Sequence, residues 1–289
     1  MNKPLTLGSL FDGSGTFPMA GILSGITPIW ASEIEPFCIR VTTKRLPQVK
    51  HLGDINSING AEIEPVDIIT FGSPCTDLSI AGKRAGLNAE RSGLFFQAVR
   101  IIKKMRCATN GKYPRFAVFE NVGGIFSSNG GEDFRCVLEE FCKIKDTAIS
   151  VPKPEKWAKA GEILGNDFSL AWRTVDAQYW YTPQRRVRMY LVADFNGGCA
   201  SKILFESEGV SGYSAKSVRA WKETAGSVAD CSGTAGTGLV FSNHGQDTRF
   251  KGPVDIAETV VASYGTGGNN QPFVVESAGF CTEHSAKAR

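Results

Sequence analysis

The opening of the chain constrains its fold most: an apolar run from Leu5 to Leu10 ends abruptly in Phe11-Asp12-Gly13-Ser14-Gly15. Pro18 follows where a first helical turn tolerates it, so the segment reads as strand, glycine turn, helix. Similar apolar runs recur at Pro28 to Ser32, Val66 to Phe71, Phe116 to Phe119 and Met189 to Ala193. Segments of helical character, Leu94 to Met105 and Val137 to Ile144, separate some of them. Strands alternating with helices predict an α/β fold with a doubly wound, mostly parallel sheet. At 289 residues and 42% hydrophobic, the chain has enough apolar material for such a core.

Beyond Phe195 the character changes. Fourteen of the 32 glycines fall there, and amphipathic helical patterns give way to Ser/Thr/Gly clusters. This predicts one domain over 1–195 and a smaller, irregular β-rich region over 196–289. Short strands are expected at Leu239 to Ser242, Thr259 to Ser263 and Pro272 to Glu276.

Several classes are disfavoured. Eight cysteines without a Cys-x-x-Cys pair do not make a disulfide scaffold, and three histidines show no paired metal-ligand spacing. No apolar run approaches the ~18 residues that span a bilayer, and the start lacks a signal peptide's apolar core. The expectation is a cytoplasmic protein with reduced thiols, no metal and no membrane partner. A net charge of +3 permits a polyanionic partner without requiring one.

Four constellations could carry chemistry. A glycine turn after the first strand lets backbone approach a ligand at the carboxyl end of the sheet. Glu33, 20 residues beyond Gly13, suits ribose hydroxyls, and Asp54-Ile55 suits an adenine edge and face. The turn departs from G-x-G-x-x-G at its last position, which argues against NAD. Second, the run Asp67 to Phe71 passes through Gly72-Ser73-Pro74 to Cys75, a thiol delivered at the mouth of that crevice. Third, Phe116 to Phe119 ends in Glu120-Asn121-Val122, and a carboxylate beside apolar residues can act as a proton donor. Fourth, alternation in Gln184-Arg185-Arg186-Val187-Arg188 puts Arg186 and Arg188 on one face of a strand entry, suited to a phosphate or a base oxygen.

In this order the elements resemble the DNA (cytosine-5) methyltransferase family over roughly residues 5 to 195. Phe11-x-Gly13-x-Gly15 is similar to its cofactor turn, Pro74-Cys75 to its nucleophile motif, Glu120-Asn121-Val122 to its Glu-Asn-Val motif and Gln184-x-Arg186-x-Arg188 to its arginine motif. The segment Gly82 to Phe96 resembles the family's mobile loop and following helix, whereas Thr76 stands where the family usually has Gln. The resemblance implies a Rossmann-like sheet that binds S-adenosyl-L-methionine through Phe11, Asp12, Gly13, Ser14, Gly15, Thr16, Glu33, Ile34, Asp54, Ile55, Gly72 and Pro74. It implies Cys75, Glu120, Arg186 and Arg188 as catalytic residues, and Ser79, Lys83, Arg84 and Arg91 as DNA contacts.

The implied reaction is methyl transfer to carbon 5 of cytosine in double-stranded DNA. The Cys75 thiolate adds to carbon 6 of a flipped-out base, Glu120 binds ring nitrogen 3 and Arg188 supports the base oxygen. Residues 196–289 then correspond to part of a target-recognition region. No match to the family's Arg-x-Leu-Thr or Gly-Asn-Ser motifs follows it, so a second polypeptide is a candidate source of that end. A restriction endonuclease is a candidate partner. Two other readings fit the same motifs: an RNA cytosine-5 methyltransferase, and a silent chain that only binds nucleic acid.

Overall fold

The apolar runs become strands because β-branched and aromatic residues pack well on a pleated surface covered from both sides. In the computed structural model the described residues are 3–74, 93–179, 184–205, 239–243, 250–254 and 273–275. Chain contacts define two compact units, Met1–Val175 with Arg188–Glu206, and Asp176–Val187 with Ser207–Arg289.

The first unit is built on an eight-stranded sheet. Its strands are β1 (Thr6–Leu10), β2 (Thr27–Ser32), β3 (Lys50–His51), β4 (Ile68–Phe71), β5 (Phe116–Val122), β6 (Ala160–Leu164), β7 (Ser169–Asp176) and β8 (Val187–Asp194). The order across the sheet is β3-β2-β1-β4-β5-β8-β7-β6. The pairs from β3 to β5 are parallel, while β8 runs antiparallel to β5 and β6 antiparallel to β7. Each expected run of this unit overlaps a strand. Sequence reasoning missed β3, β6 and β7: the first is two residues long, and β6 and β7 carry polar residues along an edge hairpin.

Helices cover both faces. Leu10, Trp30, Phe71 and Phe119 share the face that α3 (Leu94–Ala108) and α4 (Glu132–Cys142) bury. There Phe71 and Phe119, partners in register, stand 5.1 Å apart, with Phe95 of α3 and Phe141 of α4 against them. Burying each such ring stabilises by about 1.5–3 kcal/mol relative to exposure. The opposite face carries α1 (Thr16–Leu23), α2 (Pro36–Arg45) and the short α5 (Ala200–Leu204). Two expectations are corrected. Helix α4 begins at Glu132 and ends at Cys142, so Lys143 and Ile144 lie beyond it. Helix does occur after Phe195, where Ala200 packs on Ala171 and Val192.

The second unit contains a three-stranded antiparallel sheet with β9 (Leu239–Asn243) between β10 (Phe250–Val254) and β11 (Phe273–Val275). Strands β9 and β11 overlap expected runs, β10 was not anticipated, and the expected run at 259–263 lies outside the described residues. No described helix is long and apolar enough to cross a membrane, and no described cluster of side chains could hold a metal ion.

Candidate active site

The turn after β1 is forced by backbone geometry. Gly13 and Gly15 have φ of 57° and 85°, the left-handed region where a side chain is strained, and a Cβ on Gly15 would lie 2.7 Å from Thr42 Cγ2. Phe11 also has φ of 54°, which is unusual for a bulky residue and marks a local strain. Glu33, just past β2, holds the turn in place. One oxygen accepts the Gly13 N–H at 2.7 Å, and the other accepts those of Ile34 and Glu35 at 2.8 and 2.9 Å. An ionised carboxylate offers roughly four acceptor positions, so little beyond one remains for a ligand hydroxyl.

Ser14 and Thr16 complete the turn, Thr16 opening α1 and the Ser14 hydroxyl lying 3.7 Å from Cys38 Sγ. Asp54 caps a single 3-10 turn by accepting the Asn56 N–H. Ile55, expected to face adenine, is only 3% exposed and belongs to the core, whereas Ile34 is 70% exposed.

Asp12 is 5% exposed, and neither of its carboxylate oxygens has a hydrogen-bond partner. Burial is the main force that raises its pKa from 3.8 to about 6; the nearby Ser9 hydroxyl offsets part of this, and the Glu33 charge adds to it. The hydroxyls of Ser9, Thr70 and Ser73 are likewise buried without partners. Leaving one such group unpaired costs about 1–3 kcal/mol. Sequence reasoning passed over these three hydroxyls. For two of them the signal was a polar residue, Ser9 or Thr70, next to last in a mostly apolar strand.

At the ends of β4 and β5 lies the second part of the site. Arg188 Nε on β8 is 3.0 Å from Glu120 Oε1 on β5, so Glu120 sits beside a cation instead of in the apolar surroundings expected. Gly72 leaves room for this carboxylate, since a Cβ there would lie 2.9 Å from Glu120 Oε2. Asn121 is 2% exposed; its side-chain amide donates to the Ser73 carbonyl at 3.5 Å, and its oxygen accepts the Val122 N–H. Pro74, exposed, ends this described stretch. Cys75, Ser79, Lys83, Arg84 and Arg91 lie outside the described residues.

Arg186 precedes β8 in the second unit, where its N–H donates to Asp176 Oδ1 at 3.0 Å. Arg188 alone of the two arginines is in the strand and against Glu120.

A doubly wound sheet with a left-handed glycine turn after β1 and an acidic residue after β2 defines the Rossmann-like methyltransferase class of fold. Residues 5–145, close to half of the chain, match the model of the C-5 cytosine-specific DNA methylase family. A DNA N-6-adenine-methyltransferase of Escherichia phage P1 is 32% identical over 234 residues, covering 72% of this chain and 31% of that protein. The type II methyltransferase M2.BsuMI of Bacillus subtilis is 30% identical over 185 residues, covering 64% of this chain and 41% of its own length. The chain thus spans well under half of these relatives. A solved structure of a Spodoptera frugiperda DNMT2 variant has 18% identity and a TM-score of 0.44 over 66% of this chain and 50% of that one. S-adenosyl-L-methionine is the methyl donor of the family, and the described residues fit a polar, cationic ligand on one observation: the buried, unpartnered Asp12 carboxylate.

Proposed function

We propose that the chain transfers a methyl group to carbon 5 of cytosine in double-stranded DNA, through a transient bond between Cys75 and the base. The observation that carries this reading is the packing of Glu120, paired with Arg188, directly over Gly72. That contact brings the proton-handling carboxylate to the strand exit that runs, three residues later, into Cys75.

Bound S-adenosyl-L-methionine supplies an electrophilic methyl group. The remaining work belongs to the chain and the base. The Cys75 thiolate adds to ring carbon 6, and Glu120 steadies the proton at ring nitrogen 3 while electron density moves onto carbon 5. Arg188 pairs with the carboxylate, and in this reading it donates to the base oxygen. After carbon 5 takes the methyl group, loss of its proton and of the thiolate restores the aromatic ring. Attack comes perpendicular to the ring, so the base leaves the stack at a cost of a few kcal/mol. Lys83, Arg84 and Arg91 suit backbone phosphates during this step. In this reading 196–289 contributes to target recognition and 1–195 to catalysis. A restriction endonuclease and a polypeptide supplying further motifs are the partners it suggests.

The similarity to the phage P1 protein supports a second reading, methylation of the adenine amino group. Expression in a host lacking DNA methylation, with mapping of both 5-methylcytosine and N6-methyladenine, separates the two. The cytosine reading expects 5-methylcytosine at one short motif and none with Cys75→Ala. Methyladenine that persists in Cys75→Ala overturns it.

A further inference from the structure

The turn that carries Asp54 has little of its own to hold it. It is a single 3-10 turn, Ile55–Ser57, closed by the Ser57 N–H on the Asp54 carbonyl at 3.0 Å and the Ile58 N–H on the Ile55 carbonyl at 3.3 Å. So short a piece of helix is not stable alone, because its few bonds do not offset the backbone freedom they fix. Its position is therefore set from outside, and side chains of two other elements reach it.

On one side Ser32, the last residue of β2 and 2% exposed, donates its hydroxyl to the Gly53 carbonyl at 2.7 Å. The carbonyl of Ser32 accepts the Asp12 N–H at 3.0 Å. One residue thus ties the turn after β1 to the turn that leads into Asp54. On the other side Arg100 of α3 donates from its two Nη atoms to the Ile58 and Ile55 carbonyls, at 2.8 and 3.0 Å. Its Nε donates to Gln97 Oε1 at 2.6 Å, which fixes the plane of the guanidinium. The chain beyond the turn lies directly on the α3 backbone, since a Cβ on Gly60 would stand 2.2 Å from the Ile101 carbonyl oxygen.

What these ties present is the Asp54 side chain. Its Oδ1 accepts the Asn56 N–H and the Asn56 side-chain amide, both at 2.9 Å. Its Oδ2 has no hydrogen-bond partner among the described residues, and Asp54 is exposed. One acceptor held in a fixed orientation selects for a donor at one place, because a displacement of about 1 Å forfeits the bond.

We infer that Ser32 and Arg100 are positioning residues for the nucleoside end of the methyl donor. Acting through the Gly53–Ile58 turn, they hold Asp54 Oδ2 where it accepts from the adenine amino group, and so they set the preference for adenine. This rests on the methyltransferase reading above.

Two ligands test it in calorimetric titrations of the whole chain: S-adenosyl-L-homocysteine, and its analogue with purine in place of adenine, which lacks only the amino group. Wild type is expected to bind the adenine compound more tightly by roughly 10- to 100-fold. Ser32→Ala should cut that ratio by roughly threefold and Arg100→Met by roughly tenfold, through weaker binding of the adenine compound. Arg100→Lys should recover part of it. A purely structural role lowers the fraction of competent protein, which weakens both ligands by one factor and leaves the ratio unchanged. That outcome, or unchanged dissociation constants, would overturn the inference even for a variant that melts early. A wild-type ratio near one would overturn it as well, because Asp54 would then not read the amino group. If wild type bound neither compound, the methyltransferase reading itself would fall, and the inference with it.

Discussion

Arg188 Nε lies 3.0 Å from Glu120 Oε1 across the antiparallel pair β5–β8, with both side chains about one-fifth exposed (18% and 22%). The pair joins two motifs 68 positions apart in the sequence. A partly exposed pair of this kind contributes little to stability, on the order of 0–1 kcal/mol. Its value is in positioning.

Arg188→Ala is therefore expected to lower the rate of methyl transfer by roughly 10²–10³, the scale of losing one preorganised donor. Melting temperature and S-adenosyl-L-homocysteine affinity should change little. Arg188→Lys should recover part of the rate. Single-turnover kinetics beside calorimetry makes the comparison, and an unchanged rate in Arg188→Ala would remove Arg188 from the site.

At Gly72 the expectation is a catalytic defect without a folding one. Its Cβ would stand 2.9 Å from Glu120 Oε2, so Gly72→Ala displaces the carboxylate from Arg188. Methyl transfer should fall at least about tenfold if the displacement costs about 1.4 kcal/mol at the transition state. Thermal melting should be close to wild type, because only the end of a side chain has to move.

Gly13 and Gly15 separate backbone strain from steric clash. Nothing lies within 4 Å of a Cβ on Gly13, so Gly13→Ala meets strain alone, about 1 kcal/mol. Gly15→Ala adds a contact of 2.7 Å with Thr42 Cγ2 and should destabilise more, by about 2 kcal/mol or above. Denaturant unfolding of the two variants gives the ranking; the reverse order would contradict the turn geometry.

Asp12 predicts a pH dependence. In the folded protein its carboxyl holds a proton up to about pH 6, whereas an ordinary aspartate loses it near 3.8. Between those values the folded state binds more protons than the unfolded one, so this group makes stability fall as pH rises. The penalty is absent below the unfolded value and complete above the folded one, at about 3 kcal/mol at most. Unliganded Asp12→Asn should thus melt above wild type at neutral pH and converge with it in acid. A constant difference across that window would exclude the titration of Asp12 as its cause.

Much of this was legible in the chain itself. The parallel core strands were readable because a strand buried on both faces is apolar along most of its length, as at Ile68, Ile69 and Phe71. The glycine turn was readable because left-handed backbone selects glycine. Strands β6 and β7 were not, since the apolar stretches in this edge hairpin, Ile163-Leu164 and Leu170-Ala171-Trp172, are short and bounded by polar residues. Helix α4 was misplaced by a few residues because helix ends are set by capping and packing, not by hydrophobic period.

Local sequence determined which residue types stand at strand ends: Asp12 after β1, Glu33 after β2, Pro74 after β4 and Glu120 in β5. It also carried the family motifs, because each is contiguous and each follows an apolar run. Tertiary structure decided which of them meet. The antiparallel return of β8 places Arg188 against Glu120 and leaves Arg186 outside the strand. The packing of α1 and α2 over the sheet buries Asp12, Ser9 and Thr70 without partners. Ile55 went to the core on the α3 side and Ile34 to the surface. Burial and pairing depend on what arrives from distant parts of the chain, and no local pattern encodes that arrival.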